Sequence, residues 1–209
     1  RMRSVTDDHY FATEPTTPIE RRTVTFTIAG REFRLAAAGG VFSANRLDLG
    51  TSVLLRKAQL PPPTGAAGPL LDLGSGYGPI AVVLAVASGR TVYAVDVNRR
   101  ALDLVRENAA TVGVADAVVA AEPDDVPGDV QFAEIWSNPP IRIGKPAMHA
   151  MLDRWLPRLT PDGVAWLGIS KNLGGDSLHQ RLADQGWAVT RHASQKGYRV
   201  LRVTRGLAG

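Results

Sequence analysis

Three alternating glycines, Gly74, Gly76 and Gly78, constrain this sequence more than any other feature. The apolar run 69–73 precedes them, and a second apolar run, 80–87, follows at once. Glycine reaches positive φ without steric cost, so this spacing predicts a buried strand, a tight turn and then a helix. Because the unpaired N–H groups and the positive dipole end of that helix would face the turn, the motif predicts a site for a small polar ligand.

From residue 69 onward, strand-like and helix-like segments alternate. This alternation predicts a parallel sheet covered by helices on both faces. The last two strands, 187–192 and 198–204, are separated by a short link, and parallel strands need a long crossover, so these two must form an antiparallel hairpin. The fold class is therefore α/β, with a mostly parallel sheet that ends in an antiparallel hairpin. The other strands are predicted over 69–73, 91–95, 117–121, 131–137 and 163–170, and the helices over 79–88, 99–112, 145–158 and 176–185.

The first 60 residues differ in pattern from the rest of the chain. Their start is rich in Pro and Thr, and two alternating segments around a Gly turn follow. We therefore divide the chain into an N-terminal part, 1–60, and a main domain, 61–209. The N-terminal elements are predicted as an extended arm over 1–20, strands over 22–28 and 32–36, and a short helix over 53–59 capped by Thr51 or Ser52.

Composition indicates the cellular environment of this protein and the kinds of partner and metal site that we expect it to lack. No run approaches the roughly 20 apolar residues of a membrane span, and no signal peptide opens the chain. The sequence has no cysteine, and its four histidines lack the spacing of metal ligands. We therefore expect no disulfide, no metal and no membrane partner, and these features favour the cytoplasm.

The second strand of the main domain ends in an acid, Asp96. In doubly wound folds an acid at this place accepts hydrogen bonds from ribose, although a strand-end Asp on its own is more often a cap. The glycine spacing matches neither a dinucleotide fingerprint nor a triphosphate loop. Asp72 would oppose a pyrophosphate but suits a ligand that carries an ammonium group. S-Adenosylmethionine (SAM) is such a ligand, with a ribose, an amino acid end and no phosphate.

A second unusual motif, Asn138-Pro139-Pro140, follows the predicted strand 131–137. A proline-stiffened turn is its plain interpretation, but the carboxyl end of a central strand is also where α/β sheets bind ligands. Two prolines remove two backbone donors and fix φ. The result would be an edge of carbonyl acceptors beside the Asn138 amide oxygen, which suits the –NH₂ group of a base. Held there, the amine could be aligned with the SAM methyl group, and alignment supplies much of the catalysis.

Asp72-x-Gly74-x-Gly76-x-Gly78 followed by Asp96 resembles the SAM site of class I methyltransferases, which have a Rossmann-like seven-stranded sheet with a terminal antiparallel hairpin. A longer ordered set of motifs is similar to the small-domain methyltransferases, specifically the rRNA guanine-N2 type. This resemblance covers almost the whole chain. The motifs are Asp8-His9-Tyr10-Phe11, Val41-Phe42-Ser43, Leu47-Asp48-x-Gly50-Thr51, Asn138-Pro139-Pro140-Ile141-Arg142-x-Gly144-Lys145 and Gly197-Tyr198-Arg199-Val200-Leu201.

The resemblance implies which residues bind SAM. In this class the glycine turn lines the methionine portion, the strand-end acid holds the ribose, and the next residue packs on the adenine. The end of the third strand contacts the adenine edge. The implied cofactor-binding residues are Thr51, Asp72, Gly74, Ser75, Gly76, Gly78, Asp96, Val97 and Glu122.

The resemblance also implies catalytic and substrate-binding residues. An Asn-Pro-Pro-aromatic motif is similar to the signature of amino-group methylation on adenine, guanine or glutamine amide. Here Ile141 replaces the aromatic residue, so stacking on the base would come from Phe42, Tyr10 or Phe11, or be replaced by apolar contact. The implied residues are Asn138, Pro139 and Pro140 for catalysis, and Phe42, Ile141, Arg142 and Lys145 for substrate binding, the last two on the RNA backbone unless they are simply solvated.

Charge is distributed unevenly along the chain. The net charge is +4, yet residues 101–140 carry eight acids and one base, and residues 141–209 carry eleven bases and four acids. Solvated surface charge is the plain explanation. A local excess of positive charge, as in residues 141–209, is also what a face that binds a polyanion such as RNA would need.

The leading hypothesis is a SAM-dependent N-methyltransferase acting on guanine N2 in ribosomal RNA. Two alternatives stay open, namely a protein glutamine or small-molecule N-methyltransferase, and a SAM-binding and rRNA-binding factor without catalysis. Glutamine methyltransferases usually carry a helical N-terminal domain, whereas the N-terminus here is predicted as β. A nicotinamide dehydrogenase is least favoured because of Pro79 and Asp72. Two-domain members of the family carry a degenerate half before the catalytic one, and this chain is expected to be the catalytic half.

Overall fold

A computed structural model describes residues 20–39, 46–63 and 68–206 of the chain. The predicted arm up to residue 19 and the stacking candidates Tyr10, Phe11 and Phe42 lie outside these ranges. The described ranges form nine β-strands and five α-helices. The strands are β1 (Arg21–Ile28), β2 (Arg31–Ala38), β3 (Leu70–Leu73), β4 (Val92–Val95), β5 (Val118–Ala121), β6 (Phe132–Ser137), β7 (Leu159–Ser170), β8 (Trp187–Gln195) and β9 (Tyr198–Arg205), and the helices are α1 (Leu49–Lys57), α2 (Pro79–Ser88), α3 (Arg99–Val112), α4 (Lys145–Trp155) and α5 (Gly175–Asp184).

Strands β3 to β9 form one sheet in the order β5-β4-β3-β6-β7-β9-β8. Strands β3 to β7 are parallel to one another, whereas β9 is antiparallel to both β7 and β8. The predicted Rossmann-like seven-stranded sheet with a terminal antiparallel hairpin is confirmed. The strand order reverses between β3 and β6, and the crevice outside the carboxyl ends of such a pair is where α/β folds bind ligands.

The apolar residues of β3 explain its central position. All four of its residues are buried. Leu70 packs with α1, α2 and α3 on one face of the sheet, while Leu71 and Leu73 pack with α4 and α5 on the other. Burial on both faces is what a central parallel strand requires. Trp136, Trp155 and Trp166 are all buried in this core.

Three elements of the main domain differ from their predicted bounds by three or more residues. Strand β7 begins at Leu159 rather than at 163, because its first residue already pairs with Phe132 before the register shifts. Strand β8 continues to Gln195, past an irregularity between Arg191 and Ala193. Helix α4 ends at Trp155, and a 3₁₀ turn over Leu156–Arg158 replaces its predicted end. Pro157 accounts for this last change, because a proline has no N–H with which to continue the helical hydrogen bonds.

Helix α1 begins earlier than predicted and has a different cap. It begins at Leu49, and the side chain of Asp48 accepts a hydrogen bond from the backbone N–H of Thr51 at 2.9 Å. The prediction that Thr51 or Ser52 caps the helix was wrong. Aspartate is among the best N-cap residues, because its carboxylate accepts from an otherwise unpaired N–H of the first turn.

The N-terminal hairpin, β1 and β2, packs against α3 as part of the same hydrophobic cluster as α2. The buried Asn108 side chain of α3 joins the two. Its Oδ1 accepts from the N–H of Ala36 at 2.7 Å, and its Nδ2 donates to the carbonyls of Ala36 and Tyr77, both at 2.9 Å. One side chain thus connects the hairpin, α3 and the glycine-rich turn, while the division of the chain at residue 60 stays a prediction.

Two features were not found within the three described ranges. None of the helices there is long and apolar enough to cross a membrane. Nor do these ranges bring together three His, Asp or Glu side chains in a group that could hold a metal ion.

Asn108→Ala should lower the free energy of unfolding by about 2 kcal/mol, because it leaves backbone groups of Ala36 and Tyr77 without their partner. Urea denaturation measures the change. Thr111→Ala is the matched control on the same helix, since that exposed hydroxyl bonds only to the Glu107 carbonyl, and it should change stability by less than about 0.5 kcal/mol. Equal losses in the two variants would contradict this role for Asn108.

Candidate functional site

The glycine-rich turn has the conformation that its sequence predicts. Gly74, Gly76 and Gly78 have φ values of 73°, 54° and 91°, in the region that side chains rarely adopt. The backbone N–H groups of Gly74 and Ser75 donate to the carbonyl of Val95 at 2.8 and 3.0 Å, which holds the turn against the end of β4. A Cβ atom on Gly76 would meet no atom within 4 Å. The turn therefore presents bare backbone to open space, as a ligand-binding loop needs.

The side chain of Asp72, on strand β3, caps helix α2. The residue before the helix, Gly78, has no side chain, and the Oδ2 atom of Asp72 accepts from the N–H of Ala81 at 2.9 Å. Complete burial raises the pKa of Asp72 to about 8; the Ala81 bond opposes this shift and the charge of Asp96 adds to it. The Oδ1 atom of Asp72 is buried and has no hydrogen-bond partner.

Asp96 ties the end of β4 to the glycine turn. Its two carboxylate oxygens accept from the N–H groups of Gly76 at 2.8 Å and Asn98 at 2.9 Å. The side chain of Asn98 in turn accepts from the N–H of Ala101 at 3.2 Å, so Asn98 caps α3. Asp96 is therefore a turn-forming residue at the place where a ribose-binding acid is expected.

A pocket of about 280 Å³ lies at the carboxyl ends of β3, β4 and β6. Helix α4 forms one side of it, and none of the α4 residues that line the pocket was predicted as a site residue. Residues at three- and four-residue spacing along α4 face the pocket, a helical pattern that could have revealed them. Of the predicted site residues, Gly74, Asp96, Val97, Pro139 and Pro140 line the pocket, and α4 adds Ala147, Ala150, Met151, Arg154 and Trp155.

Glu122 lies outside this pocket. Its carboxylate accepts from Nε of Arg99 at 3.3 Å, in a separate depression that also contains Asp103 and Arg106. The next residue, Pro123, lines the main pocket instead.

Asn138 lies directly after β6 with its amide group almost fully buried, at 8% exposure. Its Nδ2 donates to Oδ2 of Asp48 at 2.6 Å and to Oγ1 of Thr51 at 3.0 Å. Its Oδ1 is buried and accepts no hydrogen bond. A Cβ atom on Gly50 would lie 2.5 Å from both this oxygen and Cε1 of Tyr198, so only glycine fits between them. Thr51, predicted to bind the cofactor, thus contacts Asn138.

Fewer carbonyl oxygens beside Asn138 are free to accept a hydrogen bond than the sequence predicts. The carbonyl of Pro140 accepts from the N–H of Ile143 at 3.1 Å, which begins a 3₁₀ turn over Ile141–Ile143. That carbonyl is therefore occupied. Within the described part of the chain, the acceptors that remain at this edge are the Pro139 carbonyl and the Asn138 amide oxygen.

The three remaining predicted substrate residues lie together on the surface beside this edge. Ile141 is 47% exposed, although it is a large apolar residue. Arg142 and Lys145 are exposed as well. The side chain of Lys145 extends toward α5, and a Cβ atom on Gly174 would lie 2.5 Å from its Cε. This surface presents one apolar and two basic side chains just outside the pocket.

Much of the positive charge of residues 141–209 is paired within the protein. Arg181 pairs with Asp153 at 2.9 Å, and both Arg191 and Arg199 pair with Asp176. Arg205 donates to two main-chain carbonyls. The net charge of residues 141–209 is therefore larger than the positive charge that this segment presents to a partner.

Three residues near Asn138 were not predicted as site residues. Tyr77 is buried, its hydroxyl lacks a partner, and its pKa is raised by burial and then by the charge of Asp48. The pKa of the half-buried Tyr198 is raised by the same two causes in the same order. Asp48 and Tyr198 belong to two of the motifs that carry the family resemblance, although no role was predicted for either residue. Tyr77 lies inside the glycine motif.

Asp72→Asn should make stability less dependent on pH. The folded protein raises the pKa of Asp72 from 3.8 to about 8, so between these values it holds a proton that the unfolded chain has released. Wild-type stability should therefore fall as pH rises through this window, by at most about 1.4 kcal/mol per pH unit.

Urea denaturation of the wild type and the variant at several pH values across that window measures the difference. The amide of the variant does not titrate, so the variant should gain stability relative to the wild type as pH rises. Parallel pH profiles for the two proteins would contradict the buried, protonated state of Asp72.

Comparison with known proteins identifies the family. The family model of the methyltransferase small domain matches residues 32–202. The uncharacterized protein YbxB of Bacillus subtilis is 31% identical over 93% of this chain and 97% of its own length. A ribosomal RNA small subunit methyltransferase C of Aeromonas hydrophila is 40% identical, over 63% of this chain but 36% of its own length.

A solved structure shares the fold. The 16S rRNA N2 methyltransferase RsmC of Thermus thermophilus, in complex with AdoMet and guanosine, superposes with a TM-score of 0.78 at 24% identity. The match covers 91% of this chain and 52% of that one. This chain thus spans nearly all of YbxB but only about a third to a half of these rRNA methyltransferases. The chain belongs to the methyltransferase small domain family, and it is a SAM-dependent methyltransferase.

Proposed function

We propose that this protein transfers a methyl group from SAM to the exocyclic N2 amine of guanine in ribosomal RNA. One observation carries the proposal. Asn138-Pro139-Pro140 follows β6, next to the glycine turn that follows β3, and the amide oxygen of Asn138 is left as a buried acceptor. The relatives named as rRNA methyltransferases add support for the substrate.

The residues at the carboxyl end of the sheet fit SAM. Asp96 and Val97 line the pocket where the ribose and adenine would bind, and the turn at Gly76 leaves open space for the methionine portion. The ammonium group of that portion would lie beside the unpartnered Oδ1 of Asp72, and its positive charge would favour the ionised form of this carboxyl once SAM is bound. Ser75, Gly78 and Thr51 complete the proposed cofactor-binding set. Glu122, outside this pocket, stays a prediction for the adenine edge. When bound, SAM supplies a sulfonium methyl, to which the amine lone pair bonds as the C–S electron pair passes to sulfur and water takes the amine proton.

The catalytic residues hold the amine rather than deprotonate it. An –NH₂ group donates two hydrogen bonds, and the Asn138 amide oxygen and the Pro139 carbonyl are two acceptors at one edge. Prolines have no N–H, so Pro139 and Pro140 present no backbone donor that would compete for the lone pair. Gly50 lies directly against the Asn138 oxygen, since a Cβ atom there would come within 2.5 Å of it. Orientation of the lone pair is the main contribution of this edge to the rate.

The surface beside this edge suits a flipped guanosine with its phosphates. Ile141 offers an exposed apolar contact for the base, and Arg142 and Lys145 offer positive charge to the backbone. Phe42 stays a proposed stacking residue. A ribosomal RNA substrate also agrees with a cytoplasmic location, which forms part of this proposal.

The direct test is methyl transfer in vitro. Purified protein, SAM with a labelled methyl group and unmodified small-subunit rRNA or assembled subunits should yield N2-methylguanosine, identified by nucleoside mass spectrometry. Label on protein glutamine or on free small molecules instead would favour the alternative methyltransferases. SAM binding without any transfer would favour a non-catalytic factor.

Asn138→Ala should lower kcat by about 100-fold or more while SAM affinity stays within about twofold, because the lost contact acts on the amine and not on the cofactor. Asn172→Ala, an exposed asparagine after β7, is the matched control and should behave as the wild type. Unchanged turnover of the Asn138 variant would remove this residue from the mechanism.

Asp96→Asn should weaken SAM binding by about tenfold or more, because a carboxylate acceptor for the ribose hydroxyls is lost and one oxygen remains for the N–H groups of Gly76 and Asn98. Isothermal titration measures the affinity. Asp116→Asn, at an exposed acid beyond α3, controls for the general effect of removing one negative charge. Equal affinities of the wild type and the Asp96 variant would show that the ribose is held elsewhere.

A further inference from the structure

Asp48 is joined to the amide of Asn138 by a short hydrogen bond across 90 residues of sequence. One carboxylate oxygen, Oδ2, accepts both from the N–H of Thr51 at 2.9 Å and from Nδ2 of Asn138 at 2.6 Å. The second hydrogen of Nδ2 goes to the hydroxyl of Thr51 at 3.0 Å. Both donors of the amide are therefore used, and its oxygen is directed away from Asp48.

A carboxylate fixes which end of the amide faces it. The two ends of an asparagine side chain have nearly the same shape, so packing alone distinguishes them poorly. If the Asn138 amide turned over, its oxygen would face the negative charge of Asp48 and two N–H donors would face the substrate. An amine donor could not bind to that arrangement. Asp48 accepts hydrogen bonds only, and it therefore selects the orientation in which Oδ1 is the acceptor for the substrate.

The charge of the half-buried Asp48 acts beside buried side chains. It is among the causes that raise the pKa of both Tyr77 and Tyr198, after burial. The Tyr77 hydroxyl is buried without a partner. In such surroundings, hydrogen bonds in a chain polarise one another more than they do in water. The bond from Nδ2 to a carboxylate draws electron density in the amide toward Oδ1.

We propose that Asp48 is a positioning residue for methyl transfer, which orients the Asn138 amide and strengthens its oxygen as an acceptor for the substrate amine. This inference rests on the proposed function. As the amine forms its new bond, its nitrogen becomes positive and its N–H groups become stronger donors. The chain from Asp48 through Asn138 then places negative charge opposite that developing positive charge. Asp48 does not touch the substrate and takes no proton.

Two substitutions separate the two parts of this role. Asp48→Asn retains an oxygen for the N–H groups of Thr51 and Asn138 but removes the charge. Asp48→Ser retains a good helix cap but is too short to reach Asn138. Asp116→Asn is the control for loss of an exposed acid, and Asn138→Ala serves as the background in which Asp48 has nothing to position.

The measurements are kcat on rRNA, SAM affinity by titration and Tm. Both Asp48 variants should lower kcat by about 10- to 100-fold, since small misplacements of a reacting group are costly. SAM affinity should stay within about twofold. Asp48→Ser keeps the helix cap, because serine and aspartate cap about equally well, so its Tm should fall by no more than the loss of one hydrogen bond from Nδ2 of Asn138 explains. A merely structural residue would lower Tm and SAM affinity together with kcat. In the Asn138→Ala background, Asp48→Ser should cause no further loss of kcat.

The outcomes distinguish this inference from the proposed function. No transfer to rRNA guanine by the wild type would overturn both. Wild-type transfer with unchanged kcat in both Asp48 variants would overturn the role of Asp48 alone. A further loss of kcat when Asp48→Ser is added to Asn138→Ala would also overturn it, because Asp48 would then act independently of Asn138.

Discussion

The arrangement of the site depends on the parallel pairing of β3 with β6. Leu73, the last residue of β3, lies opposite Ser137, the last residue of β6, and the Ser137 hydroxyl donates to the Leu73 carbonyl at 2.8 Å. Both strands therefore end at the same level of the sheet. The glycine turn leaves one strand and the Asn-Pro-Pro segment leaves the other. A shift of this register by one residue would reverse the faces of β6 and separate the methyl donor from the acceptor edge.

Within the site, structural and binding roles are divided between the two ends of single polar groups. Asp72 uses one oxygen to cap α2, and Asn138 uses its nitrogen to bond Asp48 and Thr51. The remaining oxygen of each side chain, Oδ1 of Asp72 and Oδ1 of Asn138, is buried without a partner. An unsatisfied buried acceptor costs stability, so such atoms are uncommon outside functional sites. The bonded end holds each group in place before a ligand arrives, which is the condition for binding without reorganisation.

The sequence was sufficient to predict those parts of the fold that follow from local pattern. Apolar runs, the glycine spacing and the short link before β9 predict the sheet, its terminal hairpin and the turn at Gly76. The bond between Asp48 and Asn138 could not be predicted in this way, because it joins residues 90 positions apart and no periodicity marks it. The occupied carbonyl of Pro140 depends on a 3₁₀ turn that has no clear sequence signal. The contribution of α4 to the pocket was predictable in principle from its spacing, but only once its packing against the sheet was known.

The three bonds of Asn108 have a consequence for the order in which the chain is assembled during synthesis. Ala36 and Asn108 are 72 residues apart, so the hairpin leaves the ribosome long before its partner helix does. An isolated two-stranded ribbon is marginally stable in water. The stacked rings of Phe26 and Phe33 therefore have no stable cover while the nascent chain is short. The hairpin therefore joins the core only after α3 has been made, and the same Asn108 that anchors it also bonds the turn at Tyr77.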